Sequence, residues 1–373
     1  MSDAAVADGG TVSDAAARDL LESMVAIPSP SGEEHAAAEH LRDFLLDHGR
    51  RAWLDDVGNV RAPGDDSVLL TSHVDTVPGD VPVGIETPSA GDTEDPIPWG
   101  GGDEAPQNAA VLRGRGSVDA TGPLCAMAVA AVRTGVSFAG VVGEETDSRG
   151  ARHLVADREA PDAVVNGEPS GWDAVTLGYR GFLAGTYRAE TEAGHSSRPE
   201  ANAIQHAMSW WNRVERAFES GDDAVFESVT AKPVDVSGGV ADDGLSVAAE
   251  MSVQFRIPPG SSAAGIRETV EAELADGAGT IEWRDAIPPV LDSPRSEVGR
   301  AFRVGIRERG GSPRLLKKTG TADVNLFAGA WDCPMATYGP GDSALDHAPD
   351  ERLALPEYDR AIAVLETVCD DLQ

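Results

Sequence analysis

Lysine is nearly missing from this chain. Of 373 residues only Lys232, Lys317 and Lys318 are lysines, and 30 basic residues in all face 63 acidic ones. No basic patch is left to neutralise phosphates, which argues against a nucleic-acid partner. Cysteine is as scarce. Cys125, Cys333 and Cys369 are scattered, odd in number and never spaced as Cys-x-x-Cys, so neither a disulfide framework nor a thiolate zinc site is indicated. No apolar run approaches the length that crosses a bilayer. The opening MSDAAVADGGTVSDAAARDL is acidic and lacks the apolar centre of a signal peptide, so the expected compartment is the cytoplasm. Spaced glycines around Arg113–Asp119 carry neither a G-x-G-x-x-G pattern nor a P-loop lysine, which disfavours a nucleotide site.

What is present is acid. The net charge of −33 is spread along the whole chain rather than held in a tail, while 41% hydrophobic residues suit an ordinary globular protein. Arginine carries nearly all the positive charge. A solvated acidic surface tuned to very high salt is the favoured reading, because self-repulsion is screened where the Debye length falls to about 3 Å at 1 M salt. An ordinary acidic protein is the alternative.

The length exceeds one usual domain, so two are expected. After a polar tail of about 12 residues, Val12–Val25 reads as an amphipathic helix. Ser31 and Glu34 have capping-box spacing, opening a helix to about His48. Short apolar runs at Ser67–Thr71, Phe138–Val142 and Ala163–Val165 alternate with helical stretches such as Gly122–Arg133, with Thr121 as its N-cap. That alternation predicts an α/β sheet buried on both faces. Residues 79–110, rich in Gly, Pro and acids, read as a long surface loop. From about Thr176 the texture changes. A strand over Gly178–Glu190, a helix over Ala201–Phe218, strands near Glu227–Val236 and Ser246–Ile257, a helix over Ala263–Leu274 and a strand over Thr280–Asp285 give the ferredoxin-like order β-α-β-β-α-β. The expected organisation is an α/β catalytic domain (1–175 and 288–373) interrupted by an inserted α+β domain (176–287).

The chemistry-bearing residues follow the predicted strands. His73-Val74-Asp75 ends the first run, Glu144-Glu145 the second and Glu168 the third. Open α/β sheets gather ligands at the carboxyl ends of strands. Asp119 precedes a helix start and His347 lies in a Gly/Pro/Asp-rich loop. Two imidazoles with several carboxylates suit a pair of divalent ions, zinc, cobalt or manganese, better than a thiolate metal. Asp75 is placed to orient the His73 imidazole, and adjacent acids let one ligate while the other works as a base. Each feature has a bland reading: a loop polar pair, a solvated Glu-Glu, a turn aspartate. Their joint occurrence at strand ends carries the case.

The ordered set Ser72-His73-Val74-Asp75, Gly114–Asp119, Gly143-Glu144-Glu145, Gly167-Glu168-Pro169 and Asp346-His347 resembles the M20 metallopeptidase family over nearly the whole chain. That resemblance implies a mixed-sheet, zinc-peptidase-like catalytic domain with an inserted ferredoxin-like lid that also dimerises. It implies His73 and Glu168 on one metal, Glu145 and His347 on the other, Asp119 bridging, Asp75 orienting His73, and Glu144 as general base. His195, in Gly194-His195-Ser196-Ser197, matches a lid histidine that supports the oxyanion of a partner subunit's active site. Arg256 matches a lid arginine that holds a substrate carboxylate, and Thr321 and Asn325 fall in a motif expected to line the substrate. Gly167–Trp172, Leu177–Gly181 and Lys318–Asn325 are most similar to the subgroup called [LysW]-lysine/[LysW]-ornithine hydrolases. Members of that subgroup free lysine or ornithine from the C-terminal glutamate of an amino-group carrier protein. The rivals are a deacylase of N-acetylornithine or another N-acyl amino acid, a dipeptidase, and a silent M20-like scaffold.

Overall fold

The computed structural model describes residues 11–87, 97–195, 197, 199–219, 224–242, 244–284 and 286–373. Most of the expected N-terminal tail (1–10), the middle of the expected loop (88–96), Ser196 and Arg198 beside His195, and Asp285 lie outside them. Contacts divide the chain into two units. One holds Met1–Leu177, Asp292–Leu316 and Ala322–Gln373; the other holds Gly178–Leu291 and Lys317–Thr321.

The chain runs α1 (Asp14–Val25), α2 (His35–Asp47), β1 (Trp53–Leu54), β2 (Val60–Ala62), β3 (Asp65–His73), β4 (Gly84–Glu86), β5 (Val111–Arg113), α3 (Thr121–Thr134), β6 (Val136–Val141), α4 (Arg149–Asp157), β7 (Val164–Gly167) and β8 (Ala174–Tyr179), the last two residues of which count with the second unit. The second unit follows with β9 (Gly181–Glu192), α5 (Ala203–Ala217), β10 (Thr230–Val240), β11 (Ser246–Ile257), α6 (Ala263–Ala272), β12 (Thr280–Trp283) and β13 (Val290–Leu291). The chain closes with α7 (Glu297–Glu308), β14 (Arg314–Lys318), α8 (Val324–Ala330), β15 (Met335–Thr337), β16 (Arg352–Ala354) and α9 (Leu355–Leu372).

The main sheet runs β1-β2-β6-β3-β7-β15-β8. Its centre is parallel: β6 and β7 flank β3 in the same direction, and β15 runs parallel to β7. Residues Val68 to His73 of β3 are all buried, the continuous run that a strand covered on both faces shows. Helix α3 is buried from Thr121 to Val132, apolar all round, and packs against β3, α1 and α9. Gly135 ends it at φ +82°, a left-handed cap that costs a glycine little. The close approach of β3 and β7 also needs a glycine, since a Cβ on Gly167 would stand 2.6 Å from Ser72 Cβ.

Four local expectations change. Ser31 does not cap α2: its hydroxyl donates to Asp75 Oδ2 at 2.6 Å, while Glu34 pairs with Arg149 at 2.7 Å. Both side chains find stronger charge-assisted partners than a helix end offers. Thr121 is the first helical residue of α3 rather than its cap, which falls on Ala120. The expected strand from Gly178 breaks at Arg180 into β8 and β9. Within residues 79–110, β4 pairs antiparallel with β5, and β5 with β16, so part of the expected loop is a small sheet.

The second unit is a four-stranded antiparallel sheet in the order β10-β11-β9-β12. Alternate residues of β11, from Val247 to Ile257, are buried, as a strand covered on one face requires. Trp210 of α5 stacks on Tyr187 at 4.3 Å between ring centroids. Here the capping box is real: Asn202 accepts from the Gln205 N–H, and the Gln205 side chain reaches back to Asn202.

Candidate metal centre

His73 closes β3, and its Nδ1 lies 2.8 Å from the carbonyl oxygen of Asp75. A carbonyl only accepts, so Nδ1 carries the proton and Nε2 faces Asp119 Oδ1 at 3.2 Å. The main chain of Asp75 thus holds this ring, and its carboxylate Oδ1 stands 3.7 Å from the same Nδ1. The buried carboxylate also serves the turn that follows β6. Oδ1 accepts the N–H groups of Gly143 and Glu144 at 2.9 and 3.0 Å, and Oδ2 accepts that of Glu145 at 3.1 Å. Gly143 makes this possible, because its φ of +79° turns three successive N–H groups onto one acid.

Asp119, just before α3, meets His347 from the other end of the chain. Asp119 Oδ2 lies 3.0 Å from His347 Nε2, which is also 3.0 Å from Glu145 Oε1. His347 is held at φ +61°, a left-handed conformation that costs a non-glycine residue about 1–3 kcal/mol unless its surroundings impose it. Three groups of potential ligand atoms lie within 4.8 Å of one another: His73, Asp119 and Glu168; Asp119, Glu145 and His347; and His73, Glu144 and Glu145. The structure therefore brings together all five side chains expected to hold metal, with Glu144 beside them.

The electrostatics of this cluster demand positive charge. Burial and then Glu168 drive the Glu144 carboxyl well above its ordinary range, and burial and then Asp119 raise Glu145. Burial pulls the His73 ring down, but Asp119, Glu144 and Glu168 outweigh it and leave its pKa well above the usual imidazole value. The Asp119 hydrogen bond raises His347 to about 9. Burial works against the Asp119 carboxylate too, yet hydrogen bonds from His347 and His73 hold it well below its ordinary range. Like charges about 4 Å apart repel by about 4 kcal/mol at an effective dielectric constant of about 20. Such repulsion is relieved by a retained proton, as on Glu144, or by a cation, and two imidazoles with carboxylate oxygens, free of thiolates, form a donor set that fits divalent zinc or its neighbours.

Two residues that sequence reasoning passed over belong here. Ser31 is the fourth donor to the Asp75 carboxylate. Asp323, at the start of α8, is a buried acid raised to about 6, chiefly by burial, and its charge adds to that around Glu144. Its place in the Lys318–Asn325 motif was the only signal. Asn325 is fully buried, and its Oδ1 accepts the Ala322 N–H, so it braces its own turn. The remaining expected residues lie in the second unit. His195 is exposed after β9, with Nδ1 2.9 Å from Ser197 Oγ. The guanidinium of Arg256 stacks 4.9 Å over Phe182 and reaches Thr321 Oγ1 at 3.4 Å. No carboxylate among the described residues pairs with Arg256, and burial lowers its pKa.

Comparison with known proteins agrees with this geometry. A sequence model of the family described as "Peptidase family M20/M25/M40" matches residues 69–371. The [LysW]-lysine hydrolase of Deinococcus radiodurans is 38% identical over 369 residues, 94% of this chain and 95% of that protein. Among solved structures, aminopeptidase PepT of Bacillus cereus superposes with a TM-score of 0.74 at 16% identity, covering 97% of this chain and 99% of that one. The YXEP protein of Bacillus subtilis, described as a dinuclear metal-binding peptidase from the M20 family, gives a TM-score of 0.63 at 12% identity over 95% of this chain and 97% of its own. Fold, clustered ligands and sequence agree: this chain belongs to peptidase family M20.

Proposed function

We propose that this chain is a two-metal amidohydrolase that releases L-lysine or L-ornithine from the C-terminal glutamate of an amino-group carrier protein. The observation that carries the reaction type is a pair of donor clusters sharing Asp119, with Glu144 alongside. The substrate class is supported by the Deinococcus relative, similar over nearly its full length. His73, Asp119 and Glu168 would hold one ion and Asp119, Glu145 and His347 the other, zinc by preference and cobalt as an alternative. When bound, the ions supply Lewis acidity to the scissile carbonyl and lower the pKa of the attacking water towards about 7.

Glu144 takes a proton from that water at a carboxylate oxygen and returns it to the leaving amine nitrogen as the C–N bond breaks. A carboxyl pushed upward by burial suits a group that must both accept and give back a proton near neutrality. Asp75 holds Glu144 and Glu145 by their main chain, so the base and a ligand keep a fixed spacing. In the lid, Arg256, half-buried and without an acidic partner among the described residues, takes a substrate carboxylate, with Thr321 beside it. Asn325 braces its own turn by accepting the Ala322 N–H. His195 donates to the developing oxyanion across a homodimer. The dimer reading is supported by β10, an edge strand exposing Val234, Val236 and Val240, which invites a second copy. No helix among the described residues is long and apolar enough to cross a membrane. Work in the cell interior at high salt fits the net charge of −33.

The test is an assay in multimolar KCl with added zinc or cobalt, comparing carrier protein charged with lysine, carrier charged with ornithine, and N-acetylornithine. Release of free amino acid from the charged carrier, with N-acetylornithine turned over far more slowly, is the expected result. Faster turnover of N-acetylornithine would move the assignment to a small-molecule deacylase.

A further inference from the structure

Glu351 is a fully buried acid that the reaction as drawn does not use. Its Oε1 accepts the N–H groups of Val118 and Asp119 at 2.9 and 3.0 Å, and its Oε2 accepts Arg115 Nη1 at 2.7 Å. Its carbonyl oxygen takes the Gly114 N–H at 3.1 Å, and Arg115 Nη1 also reaches the Ala348 carbonyl at 3.2 Å. One residue further on, Arg352 pairs with Arg113 as β16 joins β5. The segment after His347 is thereby stitched to the whole segment that ends in Asp119. Those two segments supply the side chains that meet at 3.0 Å, and His347 itself is exposed and left-handed.

We propose that Glu351 is a positioning residue, its carboxylate locking the Asp119 loop to the His347 loop and so setting how tightly the ion on Asp119, Glu145 and His347 is held. The proposal rests on the two-metal reading above. A carboxylate suits the task because it accepts from two adjacent N–H groups and a guanidinium at once, and charge-assisted bonds of this kind are the strong ones. Groups that orient metal ligands from behind change affinity by about 10–100-fold when removed.

The test titrates metal-free full-length protein in high salt with Co(II), following the visible d–d bands and the stepwise affinities. The wild type is expected to take up two ions. Glu351→Ala should bind one of them about 10–100-fold more weakly, with altered bands, and keep the other within about threefold. Glu351→Gln, whose Oε1 still accepts from Val118 and Asp119, should recover most of that loss. Two ions bound equally well by the wild type and both variants would overturn the clamp and leave the metal centre standing; so would an equal weakening of both ions. A wild type that takes up no Co(II) would overturn the metal centre and the clamp with it. Should Glu351→Ala unfold by circular dichroism, Arg115→Met decides, since Arg115 carries the bonds to Glu351 and to the Ala348 carbonyl. Weakening of one ion in it supports the clamp, and wild-type affinity overturns it.

Discussion

Glu144 and Glu145 are neighbours with the same side chain, yet the fold assigns them different surroundings. Glu145 meets His347 at 3.0 Å, whereas Glu144 is shifted upward by burial and by Glu168, with only the charge of His73 opposing the shift among the largest contributions. Glu144→Ala should therefore keep two bound metals and an unchanged fold while kcat drops about 10²–10⁴-fold, the range for losing a general base. Metal analysis and turnover on the same preparation decide it; near-normal kcat removes Glu144 from the mechanism. That His73, Asp119, Glu145, Glu168 and His347 would cluster was legible because each stands at the end of a strand or in a loop, where an open sheet gathers its side chains. Ser31 was misread for a physical reason. A hydroxyl three residues before a glutamate looks like a helix cap, but a buried carboxylate 44 positions along the chain binds it more strongly. Sequence spacing sees only local partners.

Two elements put the site under load. Strand β7 delivers Glu168 only because Gly167 lets it lie close to Ser72 of β3, where a methyl would sit 2.6 Å from Ser72 Cβ and 3.0 Å from Met127 Sδ. Gly167→Ala should lower stability by about 1–3 kcal/mol, the range for overpacking a closed core, read from the denaturant midpoint. A value near zero would show that the two strands have slack. At the start of α9, Glu357 gathers the N–H groups of Gly100, Gly341 and Trp172. Burial nevertheless raises its carboxyl from 4.5 to about 7. Between those values the unfolded chain has lost the proton and the folded chain keeps it, so stability falls as pH rises through that window and levels off above it. At about 1.4 kcal/mol per unit the decline is on the order of 3 kcal/mol. Glu357→Gln should flatten that slope in denaturant melts from pH 4.5 to 7.5, and an unchanged slope would assign the pH dependence to other groups. Helices and central strands were readable from their apolar periods, whereas β4 was not, since three exposed residues in a Gly-, Pro- and acid-rich stretch carry no strand signal.

Across the whole molecule, 63 acids against 30 basic residues make self-repulsion a standing cost of compactness. The midpoint of thermal unfolding should rise between 0.1 and 1 M KCl, where the Debye length shrinks from about 10 to about 3 Å, and flatten beyond. A midpoint that stays level or falls over that range would return the chain to the class of ordinary acidic proteins. Composition, the alternation of strands and helices, the βαββαβ texture of the insertion and the kinds of side chain in the cluster were all determined by the sequence, because each depends on residues close together or on totals. Which carboxylates gather around the two imidazoles, how Asp75 reaches across to hold a turn on the next strand, and how Glu351 joins two distant loops were decided only by the tertiary structure. A buried charge is satisfied by whichever partner the fold brings within about 3 Å, and that partner can lie anywhere in the chain.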